Sequence, residues 1–348
     1  MERSSLFLKG GRTCGIFNYE ELVEDADDGE PSMTGSRASS SAGYPRDRSA
    51  SMCDPPGPVD ITIGRKSHFG STSQEHPSRD RRVQTLSLNR RQPHSILAAD
   101  DGRIGRELWK SDGTRAGTVR VKDIRPGAEG SFADWMTEVN GTLFFTADDG
   151  ASGYELWKSD GTRAGTVRVK DIPPEAHNLT DVNGTLFFIA REPGSSDVLW
   201  KSNGTEAGTV GIKEFNFGDN CCTPDSLTDV NGTLFFAANE GVSGYELWKS
   251  DGTEAGTVRV EDINPGAEGS FPERLTEVNG NVFFRANDGT TGVELWKSDG
   301  TETGTVLVKE INAGFGFSFP GSMADVKGTL FFSADDGRTG RELWKASP

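Results

Sequence analysis

The tetrapeptide Glu-Leu-Trp-Lys recurs along this chain at a spacing too regular to be accidental. Its tryptophan stands at Trp109, Trp157, Trp200, Trp248, Trp296 and Trp344, at intervals of 48, 43, 48, 48 and 48 residues. The third copy reads Val-Leu-Trp-Lys from Val198. The short interval comes from one deletion: Asp123 and Asn140 are 17 residues apart, but Asp171 and Asn183 only 12. Such a period marks a repeat architecture, in which each unit is a supersecondary motif that buries its apolar surface only against its neighbours.

One full unit, Met136–Ile172, reads as four strands. MTEV (136–139) meets Asn140-Gly141 and then TLFFTA (142–147). Asn-Gly between apolar stretches is a strong hairpin signal, because both residues tolerate the positive φ of a type I′ turn. DDGASG turns the chain into YELWKS (154–159), and DGTRAGT leads on to VRVKDI (167–172), rich in β-branched residues. Four short antiparallel strands per unit predict an all-β fold, a β-propeller of five or six four-stranded antiparallel blades. A β-helix is the rival, but its coils are shorter and need no Asn-Gly hairpin in every unit. Strands counted from residue 96 number 22, because the first unit (SILAAD, ELWKS, VRVKDI) and the last (MADV, TLFFSA, RELWK) hold three each. Either the end units are incomplete or they share one closing blade.

Residues 1–95 do not follow the pattern. The stretch 32–58 is rich in Ser, Gly, Pro and Arg, and 79–91 is basic and polar without periodicity. So little apolar surface cannot offset chain entropy, so 1–95 reads as a disordered low-complexity leader, or a misassigned start, ahead of a repeat domain at 96–348. The leader holds 13 basic and 13 acidic residues, whereas the repeat holds 24 and 40 and carries the whole net charge of −16. An acidic surface repels phosphate, which argues against a nucleic-acid partner. No apolar run approaches the ~18–20 residues of a membrane-spanning helix. The N-terminus lacks the apolar stretch of a secretory signal. Cys14, Cys53, Cys221 and Cys222 give neither a disulfide framework nor a zinc-binding spacing.

The extended motif stands as ELWKSDGTRAGT at 107–118 and 155–166, ELWKSDGTEAGT at 246–257, ELWKSDGTETGT at 294–305 and VLWKSNGTEAGT at 198–209. It closely resembles the repeat of the bacterial ELWxxDGT family, over 96–348. The resemblance implies a propeller-like all-β protein of the secreted or cell-surface kind, and no particular activity.

The recurring residues have structural readings first. Within ELWK, Glu and Trp point to one side of a strand and Leu and Lys to the other. The six tryptophans are expected to pack between blades, and Glu and Lys to form solvated or inter-blade ion pairs. Asp-Gly-Thr and Asn-Gly are turns, and tight turns explain the Asn-Gly-Thr copies better than glycosylation does. Successive loops of a blade alternate between the two faces of the ring. Asn-Gly and DGTxAGT loops therefore share one face, and DDGxxG loops share the other with the PGAEGSF connections (126–132 and 265–271). This second face varies most between copies, so binding is expected there. Its second acidic position is Asp101, Asp149, Glu192, Glu240, Asp288 and Asp336. These six carboxylates either cap their turns or act as hard oxygen ligands for Ca²⁺; the loops lack the denser D-x-D-x-D-G pattern of a dedicated calcium loop.

Catalytic motifs are missing from the repeat. Of four histidines only His177 lies within it, and there is no nucleophile elbow, phosphate loop or zinc spacing. The sequence therefore reads as a non-enzymatic, monomeric binding or structural scaffold for a protein or glycan, with no cofactor unless Ca²⁺. A calcium-dependent adhesive or glycan-binding propeller is one alternative; a propeller hydrolase working through two carboxylates is the other. A unique site needs residues that break the repeat, and these are Arg191–Asp197, Asp219–Asp225 and Ala313–Ser322.

Overall fold

The computed structural model describes residues 94–348 except 152, 174, 192–194, 216–222 and 315. Twenty-two strands form six antiparallel sheets, each a meander in chain order, and no helix occurs among the described residues. Sheet 1 holds β1 (Ser95–Asp100), β2 (Arg106–Ser111) and β3 (Val119–Lys122). Sheet 2 holds β4 (Asp134–Val139), β5 (Thr142–Asp148), β6 (Tyr154–Ser159) and β7 (Val167–Lys170). Sheet 3 follows with β8 (His177–Val182), β9 (Thr185–Ala190), β10 (Asp197–Ser202) and β11 (Val210–Phe215). Sheet 4 contains β12 (Asp225–Val230), β13 (Thr233–Asn239), β14 (Tyr245–Ser250) and β15 (Val258–Arg259). In sheet 5 are β16 (Glu273–Val278), β17 (Asn281–Asn287), β18 (Val293–Ser298) and β19 (Val306–Lys309). Sheet 6 has β20 (Gly321–Val326), β21 (Thr329–Asp335) and β22 (Arg341–Ala346).

The first strands β4, β8, β12, β16 and β20 touch one another in succession and form the inner edge of the array. This is a propeller-like arrangement of six sheets. The end units are two separate three-stranded sheets rather than one shared blade among the described strands. Inner strands also begin earlier than the apolar pattern implied, at Asp134 rather than Met136. The hairpin turns are as the sequence suggests: Asn140, Asn183, Asn231 and Asn279 have φ of 47–51°, each followed by a positive-φ glycine. The leader, Cys221-Cys222 and Glu192 lie outside the described residues.

Both faces of each middle sheet are apolar, and five buried clusters fill the spaces between consecutive sheets. In each, the ELWK leucine of one sheet shares a cluster with the ELWK tryptophan of the next: Leu108 with Trp157, Leu156 with Trp200, Leu199 with Trp248, Leu247 with Trp296, Leu295 with Trp344. Lysines from the preceding sheet's outer strand lie over these rings: Lys122 is 5.4 Å from the Trp157 centroid, Lys213 5.3 Å from Trp248 and Lys309 5.4 Å from Trp344. An ammonium over an indole face adds a cation–π attraction to the burial.

Most charged residues of ELWK bond to backbone groups rather than forming the expected ion pairs. Four of the six lysines donate to a glycine carbonyl in the Asp-Gly-Thr or Asn-Gly-Thr loop of the next sheet: Lys110 to Gly161, Lys158 to Gly204, Lys201 to Gly252 and Lys249 to Gly300, at 2.6–3.1 Å. The stem can pack on apolar surface while the ammonium caps a carbonyl that its own sheet cannot reach. That loop is held internally. Asp160 Oδ1 accepts from Thr162 N (2.8 Å) and Thr162 Oγ1 (2.7 Å), and Gly165 N donates back to Thr162 Oγ1 (3.0 Å). Gly165 is required here, because a Cβ on it would lie 2.1 Å from Asp160 Cγ.

Trp248 is buried between sheets 3 and 4, whereas Trp109 is half-buried and belongs to none of the five clusters. Trp248→Ala is expected to cost about 3–5 kcal/mol of unfolding free energy, the usual range for a buried large aromatic. Trp109→Ala should cost clearly less. Urea unfolding of both variants measures the difference, and equal losses would refute the packing role.

Candidate functional site

Four of the six recurring carboxylates of the DDGxxG loops are turn caps in this structure. Asp101 Oδ1 accepts from the N–H groups of Arg103 and Ile104, and Asp149 Oδ1 from Ala151 N. Asp288 and Asp336 each accept two backbone N–H groups and a threonine hydroxyl, at 2.7–3.1 Å. Glu240 is exposed, and Asn239 beside it accepts from Gly241 N instead. Among the described residues no three His, Cys, Asp or Glu side chains come together as a metal-binding group.

The same face carries a second recurrent device. Glu246, at the start of ELWK, is fully buried and accepts from Ile263 N, Asn264 N, Ser270 N and Ser270 Oγ, at 2.5–3.3 Å. Glu107 holds Ile124, Arg125 and Ser131 in this way, and Glu294 holds Ile311, Asn312 and Ser318. Each latched connection also folds back on the preceding strand, with Ser131 N and Phe132 N bonding to Arg106 O. The product is an exposed phenylalanine at positive φ in three equivalent places: Phe132, Phe271 and Phe319. Burial pushes all three glutamates above the usual carboxylate range, Glu246 to about 7.

The deletion removes this latch between sheets 2 and 3. Glu155 is buried without it and makes contact with Trp157 Nε1 (3.4 Å) and Arg168 (3.5 Å). The shortened connection instead delivers His177 to the start of β8. There a bulge interrupts the inner strand, as it does in β4, β12, β16 and β20. At every bulge one residue takes positive φ: Trp135 (49°), Asn178 (56°), Ser226 (59°), Arg274 (61°) and Ser322 (50°). This conformation is unfavourable for a large side chain such as Trp or Arg. The backbone is the same in all five sheets, yet the residue pairs differ: Asp-Trp, His-Asn, Asp-Ser, Glu-Arg and Gly-Ser. Neighbouring pairs touch around the inner edge. The Trp135 and His177 rings are 6.0 Å apart, and Asn178 Nδ2 donates to Asp225 Oδ1 at 3.0 Å. Glu273 is bound by Arg285 Nε at 2.8 Å.

Sheet 3 also carries an exceptional carboxylate. Asp197 stands where sheets 2 and 4 have Tyr154 and Tyr245; it is 1% exposed, and among the described residues neither of its oxygens has a hydrogen-bond partner. Burial raises its carboxyl above the usual range, and the charges of Arg191 and His177 oppose that rise. Arg191 Nε is 3.8 Å away and is engaged by Glu175. His177 Nδ1 is 3.1 Å from Glu175 O, a carbonyl that can only accept, so in the neutral ring Nε2 is left as the acceptor. Sequence reading marked Arg191–Asp197 and His177 as departures from the repeat but did not bring them together. It passed over Trp135, the seventh tryptophan and the one outside ELWK, which was the available signal.

No family model matches the chain, and no curated protein matches it. Solved structures resemble it in fold. Puromycin hydrolase gives a TM-score of 0.45 at 13% identity over 73% of this chain and 42% of that one. The β-propeller domain of the Trilobed protease from Pyrococcus furiosus gives 0.42 at 11% identity over 73% and 78%. A structure from a study of two prolyl endopeptidases gives 0.46 at 12% identity over 75% and 41%. The chain thus spans about two-fifths of the puromycin hydrolase and prolyl endopeptidase chains. At these identities the likeness concerns the fold. The expectation that the chain is not an enzyme is withdrawn: the structures it is similar to are those of a puromycin hydrolase, a protease's propeller domain and prolyl endopeptidases.

The buried latch gives the fold a pH dependence of known sign. Glu246 binds a proton more tightly when folded, so its contribution is fully present below about pH 4.5 and is lost as pH rises through about 7. Glu246→Gln should abolish this component, which is on the order of 3 kcal/mol. Melting temperatures of the two proteins from pH 4.5 to 8 measure it, with the difference between them changing across that window. A constant offset would refute the coupling.

Proposed function

We propose that this propeller recognises an extended polypeptide segment at the mouth formed by the starts of its inner strands and the latched connections. One observation carries the reading: an identical strained backbone is repeated five times, but each copy presents a different pair of side chains. Uniform residues would suffice for packing alone, whereas a ring of distinct residues suits an asymmetric ligand. The exposed Phe132, Phe271 and Phe319 offer apolar contact, Trp135 a broad ring, and Asp134, Asp225 and Glu273 hydrogen-bond acceptors on an acidic protein. Alternating apolar and polar contacts match the two-residue alternation of an extended peptide. The resemblance to ELWxxDGT repeat proteins supports a surface role.

Purified protein panned against a displayed peptide library is expected to enrich peptides with aromatic or aliphatic and basic positions. Trp135→Ala and Phe271→Ala should each weaken the enriched peptides at least tenfold, about 1.4 kcal/mol, with the melting temperature held. Enrichment that survives both changes, or binding confined to a glycan array, overturns the proposal.

A hydrolytic second reading is favoured by the buried Asp197, whose carboxyl feels the charges of Arg191 and His177. In it the neutral imidazole takes a proton from water at Nε2 as the water oxygen adds to a peptide carbonyl, Asp197 stabilises the imidazolium, and the C–N bond breaks as the imidazolium returns the proton to the leaving amine. Quenched fluorescent peptides then serve as substrates, with His177→Ala and Asp197→Asn expected to abolish turnover. Turnover that survives His177→Ala removes this reading and leaves the binding proposal standing.

A further inference from the structure

In sheet 6 the place of the outer strand is taken by no described strand. In the other five sheets that strand opens with valine, and its register is constant. Val119, Val167, Val210, Val258 and Val306 pair with the ELWK lysines Lys110, Lys158, Lys201, Lys249 and Lys297. The third residue of each, valine or isoleucine, shares the buried cluster of the ELWK leucine, as Val169 does with Leu156. Those five leucines are 0% exposed; Leu343, their counterpart in sheet 6, is 42% exposed.

Residues 1–93 contain the pattern Val-x-Val/Ile once, in VDITI at 59–63. Four of its five residues are β-branched, the composition of a strand that packs on a pleated surface. We propose that this segment of the chain is the outer strand of sheet 6, antiparallel to β22, with Val59 opposite Lys345 and Ile61 over Leu343. The sixth position, Ile or Phe in the other outer strands, is Gly64 here, so Ile63 is left to cover the end of the strand. Val59 precedes the start of β1 by 36 residues, where outer and following second strands elsewhere start 18 or 23 apart, so the connection is longer than the others and can make the crossover. A strand that lies before sheet 1 in the chain and in sheet 6 in space ties the two ends of the array together. It also revises the reading of 1–95 as leader throughout.

The test uses the full chain with Cys14, Cys53, Cys221 and Cys222 replaced by serine, plus Val59→Cys and Lys345→Cys. Mild oxidation should link the two new cysteines within one chain in more than half of the molecules, as read by non-reducing electrophoresis and peptide mass mapping. The pair Val59→Cys and Arg341→Cys, at the far end of β22, should not link. A folded protein that forms no Val59–Lys345 link, or forms it only between two chains, overturns the proposal; the second result assigns the edge to another copy. Hydrogen exchange on the otherwise unaltered chain decides the matter if the cysteine variants do not fold. Amides of Arg341–Ala346 should exchange at least tenfold faster in Ile61→Pro than in the parent, and unchanged exchange overturns the strand assignment.

Discussion

Burial of one sheet's leucine and phenylalanine side chains against the next sheet's tryptophan is the interaction on which this fold rests. A four-stranded meander with strands of two to seven residues has too little surface to fold alone, and here both faces are apolar. Stability must therefore come from stacking, and each of the four middle sheets is a partner to two neighbours. The polar residues of the repeat serve the same interface. Lysines of ELWK close the next sheet's loop carbonyls, and lysines of the outer strands cover tryptophan rings. Charged side chains that look solvent-directed in the sequence are thus part of the joint between sheets.

The joint leaves the loops free to differ. In three of the full-length connections a buried glutamate fixes the chain through backbone N–H groups and a serine hydroxyl, and a phenylalanine is held outward. Where five residues are lost, the latch disappears, Glu155 changes partners, and sheet 3 buries Asp197. A buried carboxylate with no hydrogen-bond partner is costly, and a purely structural position would be expected to shed it. Its retention in a sheet that also lacks the ELWK glutamate makes sheet 3 the least symmetric part of the array.

Much of this was legible beforehand because it is local. The 48-residue period, the Asn-Gly turns and the alternation within each stretch determined 22 strands and their order. Asp101, Asp149, Asp288 and Asp336 could be read as turn residues from the Asp-Gly that each forms. Glu and Lys of ELWK were misread, because their partners are a connection and a loop that lie beyond the strand carrying them.

Sequence by itself thus determined the repeat, the strands and the acidic, turn-rich loops, since each depends on residues within one unit. Only the tertiary structure decided which departures from the repeat meet. The inner strands run side by side, so residues 42 to 47 positions apart, such as Trp135 with His177 or Asn178 with Asp225, become contacts across neighbouring sheets. The positive-φ bulge that presents them is likewise invisible in composition, because tryptophan, asparagine, serine and arginine share no preference for it. It is imposed by the sheet around it, where the ladder must be broken to bring the incoming connection onto the inner edge.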